Sequence, residues 1–176
     1  AMPGPVFANP ENAAQVNTAC EQGLVEAKSR VAQLEKRTAD LAWLAAYDDL
    51  NALTEDTYYP LSFIGNVHPD KGVRDAAQAC DLKWQDFSSS LGQNEVLFKL
   101  LKAVKTKDAI DESFKRVSLE GFEDSGVALS PPKRARAKEI LDRITALSLD
   151  FDKHIRDNST KVAFTEADLN GVPADV

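Results

Sequence analysis

Six apolar residues, Val73, Ala77, Cys80, Trp84, Phe87 and Leu91, follow one another at spacings of 4, 3, 4, 3 and 4. At that spacing they form one stripe down an α-helix, whereas a strand, with its period of two, would scatter them over both faces. The rhythm recurs upstream, where Val16, Cys20, Leu24, Ala27, Val31 and Leu34 fall at spacings of 4, 4, 3, 4 and 3, with Glu21, Lys28 and Arg30 between them and Glu35 just after. This seam is narrow, like that of a coiled coil. Punctuation is sparse as well: 8 glycines and 8 prolines in 176 residues cannot supply the turn every ~8–12 residues that an all-β fold needs. These features dictate an all-α domain of long antiparallel amphipathic helices joined by short connections.

The first helix is expected over residues 10–37, with Asn9 as N-cap and Pro10 at the first helical position, where its missing N–H costs nothing. A second, over 38–66, offers Leu41, Leu44, Leu50, Leu53 and Leu61 as core candidates. It is expected to kink or break at Tyr59-Pro60, since proline removes a hydrogen bond and clashes with the preceding turn. Asp70 caps the helix of the Val73 stripe and Gly92 stops it. Asn94 caps a short helix ending near Lys105, and Asp108 caps a fifth from Ile110 to about Asp124, carrying Phe114, Val117 and Phe122. Ser130, as N-cap, and Pro131 open a last long helix to about Asp157, with Ile140, Ile144, Leu147, Phe151 and His154 or Ile155 on one face. Residues 1–9 read as a disordered or extraneous leader, 10–157 as the helical domain and 158–176 as a linker.

Composition narrows the function classes. With 28 acidic against 21 basic residues and a net charge of −7, the chain is poorly suited to bind nucleic acid, whose affinity comes largely from cations neutralising phosphates. No uncharged apolar run approaches the ~18–20 residues of a membrane span. Two histidines and two cysteines are too few for a closed zinc site or a disulfide framework. A cytoplasmic location is expected, or a periplasmic one if a signal segment has been removed.

Each chemistry-bearing residue has an ordinary explanation. Cys20 and Cys80 occupy apolar seams, where cysteine acts as a small hydrophobe, so both read as buried, unreactive thiols, with a bridge or redox site as the alternative. His68 sits at a turn before Pro69, and His154 near a helix C-terminus four residues after Asp150, an ordinary stabilising placement. Lys133, Arg134, Arg136 and Lys138 form the one basic run. It reads as a solvated helix face offset by Glu139 and Asp142 rather than an anion or nucleic-acid patch, because no aromatic residue is interleaved to stack bases. The pairs Asp48-Asp49 and Glu55-Asp56 read as solvated charge, since adjacent carboxylates on a helix diverge and no calcium-loop spacing is present. The sequence contains no His-Glu-x-x-His, Gly-rich phosphate loop or Gly-x-Ser-x-Gly elbow, so no catalytic, cofactor-binding or metal-ligating residue is assigned.

Three segments nevertheless carry a resemblance. The first runs Val67-His68-Pro69-Asp70-Lys71-Gly72-Val73-Arg74-Asp75-Ala76-Ala77. The second runs from Phe114-Lys115-Arg116 through Gly126-Val127-Ala128-Leu129 to Lys133-Arg134-Ala135-Arg136-Ala137-Lys138-Glu139-Ile140. The third runs from Leu147 through Phe151 to Asp157, then to Phe164-Thr165 and Leu169-Asn170-Gly171-Val172-Pro173. In order and spacing they resemble the N-terminal helical region of the thimet oligopeptidase/neurolysin-like zinc metallopeptidases, including the oligopeptidase A and peptidyl-dipeptidase Dcp types. Gly-Val-Pro stands where Gly-Leu-Pro is commoner, and Trp43 stands at a shifted place.

The resemblance implies a non-catalytic fragment. Its parent would hydrolyse short peptides with one zinc ion held by a His-Glu-x-x-His helix and a downstream Glu, none of which lies in 1–176. The fragment would wall one side of the substrate channel, with the catalytic domain of the same polypeptide as its partner. The alternative is a free-standing helical protein-protein interaction module. A fragment would expose a large apolar patch and a loose tail, whereas a complete module would not.

Overall fold

A computed structural model describes residues 10–173. They form six helices, α1 (Ala13–Leu34), α2 (Leu41–Val67), α3 (Lys71–Gly92), α4 (Glu95–Ala103), α5 (Ala109–Asp124) and α6 (Pro131–Arg156), then a 3-10 turn at Glu166–Leu169, with no strand among the described residues. The all-α expectation holds. Polar N-caps set most helix starts: Asp40, Asp70, Asn94 and Asp108 each accept backbone N–H bonds that the first turn would otherwise leave unpaired.

One expected helix start moves, and another lacks its cap bond. The first helix begins a turn later than expected because Asn12, not Asn9, is its cap, with Asn12 Oδ1 accepting from Gln15 N at 3.0 Å; Asn9 and the leader lie outside the described residues. Ser130 precedes α6 without a side-chain cap bond, leaving Pro131 to set the start. Of the kink or break expected at Tyr59-Pro60, the break does not occur: α2 runs through Pro60 as one helix. The carbonyl that loses its partner there belongs to Asp56, which is exposed, so water can replace the missing N–H.

Cross-helix contacts fix the directions. Gly23 meets Thr57, and Arg30 donates to the Asp49 carbonyl, so α1 and α2 are antiparallel. Ser62 meets Asp81 and Tyr58 meets Gln85, so α2 and α3 are antiparallel too. Consequently α1 and α3 run parallel, as Glu21 with Lys83 and Glu35 with Asn94 confirm. The core of this three-helix unit is the two seams read in the sequence, completed by Trp43, Leu44, Tyr47, Leu50, Leu61 and Ile64 of α2. Leu41, expected inside, is exposed. The α4–α5 pair closes one end, where Tyr47 packs on Phe114 and Phe122 with ring centroids 6.0 and 6.2 Å away, and Phe98 on Phe122 at 5.9 Å. Trp43 is wholly buried there, its indole N–H donating to the Leu34 carbonyl at 3.0 Å, so its polar atom is satisfied.

The two seam cysteines correct the thiol expectation: Cys20 of α1 and Cys80 of α3 form a disulfide, with Cα atoms 5.9 Å apart. Parallel helices bring the second seam position of α1 level with the third of α3, a register that neither sequence stretch reveals alone.

Candidate interaction surface

A surface helix ordinarily turns its apolar stripe inward. The last helix does the reverse. It lies antiparallel on α3, and none of its residues is fully buried. Its inward face carries polar tethers, with Ala137, Ala146 and Leu149 half-buried among them. Lys138 Nζ lies 2.6 Å from both Asp86 Oδ1 and Asp142 Oδ2, and Gln78 Nε2 donates to the Leu149 carbonyl at 3.1 Å. Lys153 Nζ is 4.0 Å from Asp75 Oδ1, and Arg156 Nη1 donates to the Gly65 carbonyl of α2 at 2.7 Å. Arg134 pairs with Glu95 of α4. Burial works against the charge on Lys138, but its bonds to Asp142 and Asp86 outweigh it and hold its pKa above the ordinary value. The Arg134 hydrogen bond holds the Glu95 carboxyl below its ordinary range.

The outward face carries Ile140, Ile144, Leu147, Phe151 and Ile155, from 44 % exposed at Ile140 to 63 % at Phe151. These are the residues that the periodicity places together on one face. The stripe exists, and it faces solvent. Exposed Val162, Phe164, Leu169 and Val172 follow it along the chain. A continuous apolar row of this kind marks a contact surface rather than ordinary surface scatter.

The other singled-out residues are dispersed. His68 caps the end of α2, its Nδ1 accepting from Asp70 N at 3.1 Å. His154 is exposed with its Nδ1 3.8 Å from Asp150. The basic run is not brought together as a patch. Arg134 and Lys138 turn inward as tethers, Arg136 pairs with Glu139 at 2.7 Å, and Lys133 is exposed. Asp48, Asp49, Glu55 and Asp56 are exposed, as read. Among the described residues no three His, Cys, Asp or Glu side chains are grouped to hold a metal ion, and no helix is long and apolar enough to cross a membrane.

One charged residue escaped the sequence reading. Asp81 is 4 % exposed, and its Oδ2 takes a 3.5 Å contact from the Ser62 hydroxyl while Oδ1 has no partner. Burial pushes its carboxyl up to about 6, against the smaller lowering effect of Ser62. The signal available was its place beside Cys80, where the Val73 stripe broadens between Ala77 and Trp84.

The geometry thus offers a docking face, with no cluster of reactive groups among the described residues. No family model matches the chain. It is 33% identical over 148 residues to thimet-like oligopeptidase of Dictyostelium discoideum, covering 79% of this chain and 22% of that protein. The chain is homologous to the thimet-like oligopeptidases. Saccharolysin of Saccharomyces cerevisiae is 30% identical over 64% of the chain and 17% of its own length. Oligopeptidase A of Escherichia coli is 25% identical over 88% of the chain and 25% of its own length. The chain therefore spans between a sixth and a quarter of the curated relatives it matches.

Proposed function

We propose that this helical unit is the non-catalytic N-terminal part of a zinc metalloendopeptidase that hydrolyses short oligopeptides, and that it walls one side of the channel admitting them. The observation that carries the reading is the likeness, over 79% of the chain, to a protein named an oligopeptidase of which it spans only 22%. The outward apolar stripe of α6 supports it, because such a face suits a unit that packs against more chain. In this reading the zinc ion, its His-Glu-x-x-His ligands and the catalytic Glu reside in the catalytic domain, the unit's partner in the same polypeptide. The unit itself contributes shape and access.

The disulfide favours the periplasmic location over the cytoplasmic one, because such bonds persist in oxidising compartments and are rare where glutathione and thioredoxin keep thiols reduced. Alkylation of free thiols in intact cells, before lysis, tests this, with an oxidised Cys20–Cys80 pair expected and a fully alkylated pair overturning it.

The functional reading is tested by comparing residues 1–176 with the full open reading frame. The full polypeptide is expected to bind one zinc ion and cleave a quenched fluorescent peptide, and 1–176 to do neither. Stoichiometric zinc and peptide cleavage by 1–176 alone would overturn it.

A further inference from the structure

The outward face of α6 is specific enough to describe what covers it. Ile140, Ile144, Leu147, Phe151 and Ile155 form one stripe, 4, 3, 4 and 4 residues apart. Along one edge of that stripe Arg136, Arg143 and Asp150 succeed one another at seven-residue intervals, the spacing that places flanking charges beside a helical seam. Among the described residues Arg143 has no ion-pair partner, and Asp150 has only His154, at 3.8 Å. The edge is thus cationic toward the start of α6 and anionic toward its end. The bonds that tie α6 to the unit, by contrast, join polar atoms, reaching α2, α3, α4 and the Val127 carbonyl, and none of them involves the stripe.

Resting on the functional reading above, we infer that the outward face of α6 seats an amphipathic helix of the same polypeptide from outside residues 1–176. That helix lays an apolar seam on Ile144, Leu147 and Phe151, with a carboxylate opposite Arg143 and a cation opposite Asp150. A second copy of this chain is the poorer occupant. From Ile140 to Ile155 the stripe is only about 22 Å long at 1.5 Å per residue, and one such helix face falls short of the ~1,200 Å² that a stable interface between separate molecules buries. A helix tethered in the same chain meets no such demand, because it loses far less translational freedom on docking. The homologues supply room for it: this chain spans 22% of one and 17% of another.

The experiment uses the full polypeptide, with Phe151→Cys as the probe and Ile110→Cys, at an 80% exposed site of α5, as the reference. The native cysteines are bonded to each other and do not react with maleimide. In the folded full polypeptide the thiol at 151 is expected to label at least tenfold more slowly than the thiol at 110, whereas in 1–176 the two label at similar rates. Hydrogen exchange over 140–155, which requires no substitution, is expected to show the same protection in the full polypeptide only. Equal labelling in the full polypeptide overturns the inference, as does protection that depends on protein concentration, which would assign the face to a second copy. Failure here is distinguishable from failure of the functional reading: a full polypeptide that cleaves peptides while 151 labels freely sinks this inference alone. A full polypeptide that protects 151 but binds no zinc and cleaves nothing sinks the peptidase reading.

Discussion

Cys20 of α1 and Cys80 of α3 are bonded across the helix interface, joining positions 60 residues apart with both side chains at most 2% exposed. Closing a loop of that size removes denatured-state entropy worth roughly 4 kcal/mol in the chain-entropy account, with typical measured values of about 2–4. Urea unfolding with reductant should therefore fall short of unfolding without it by about 2–4 kcal/mol, and Cys20→Ala/Cys80→Ala should behave like the reduced chain. Under native conditions the buried bond should resist reduction. Superimposable oxidised and reduced curves would show that the bridge adds nothing.

Helices α1 and α2 approach closely at Gly23. A Cβ there would lie 2.4 Å from Thr57 Cγ2 and 3.0 Å from Trp84 Cζ2, and Trp84 is wholly buried and cannot retreat. Gly23→Ala should thus lose about 1–3 kcal/mol to overpacking despite its better helix propensity. Thr57→Ser, which deletes the Cγ2 methyl, should restore part of that loss. The control is Gly121→Ala in α5, where a Cβ meets nothing within 4 Å; it should gain about 0.5–1 kcal/mol. Denaturant midpoints of Gly23→Ala, Gly23→Ala/Thr57→Ser and Gly121→Ala against the native chain decide the matter, and a neutral Gly23→Ala would remove the claim of close approach.

Most of the fold was legible because it rests on local signals. The seams of α1 and α3 and the caps at Asp70, Asn94 and Asp108 are written within one or two turns of sequence. What escaped depends on pairing. Pairing of Cys20 with Cys80 requires knowing that α1 and α3 run parallel, and the tolerance of Pro60 requires knowing that Asp56 faces water. The last helix shows the limit most clearly. Periodicity places Ile140 to Ile155 on one face, but which face turns inward is settled by Asp86, Asp75, Gln78 and the Gly65 carbonyl, all more than 45 residues away in the chain. That reversal is also what marks α6 as the candidate surface.

Asp81 makes stability depend on pH in an unusual direction. Its carboxyl is raised from 3.8 to about 6 by burial, so the folded state favours the protonated form. The penalty of a buried charge is absent below the ordinary value of 3.8, grows as pH rises, and is complete above about 6. Asp81→Asn, which keeps a partner for Ser62, should be more stable than the native chain by about 1–3 kcal/mol at pH 8, and the difference should vanish near pH 4. Urea midpoints of both chains from pH 4 to 8 test this. A gap that is constant across the range would show that Asp81 does not titrate with folding.

The tethers of α6 make its attachment salt-sensitive in a way the rest of the unit is not. Lys138 with Asp86, Lys153 with Asp75 and Arg134 with Glu95 are partly solvated ion pairs, each worth little alone and weakened as the screening length falls to about 3 Å at 1 M salt. The α1–α3 unit rests instead on buried Leu, Trp and Val side chains, which salt does not loosen. In residues 1–176, raising salt to about 1 M should speed amide exchange across α6 several-fold and leave α1 and α3 unchanged. Lys138→Ala should produce a smaller effect of the same kind at low salt, because it removes two carboxylate contacts at once. Equal exchange in α6 at low and high salt would mean that the bonds from Gln78 to the Leu149 carbonyl and from Arg156 to the Gly65 carbonyl, rather than the ion pairs, hold the helix in place.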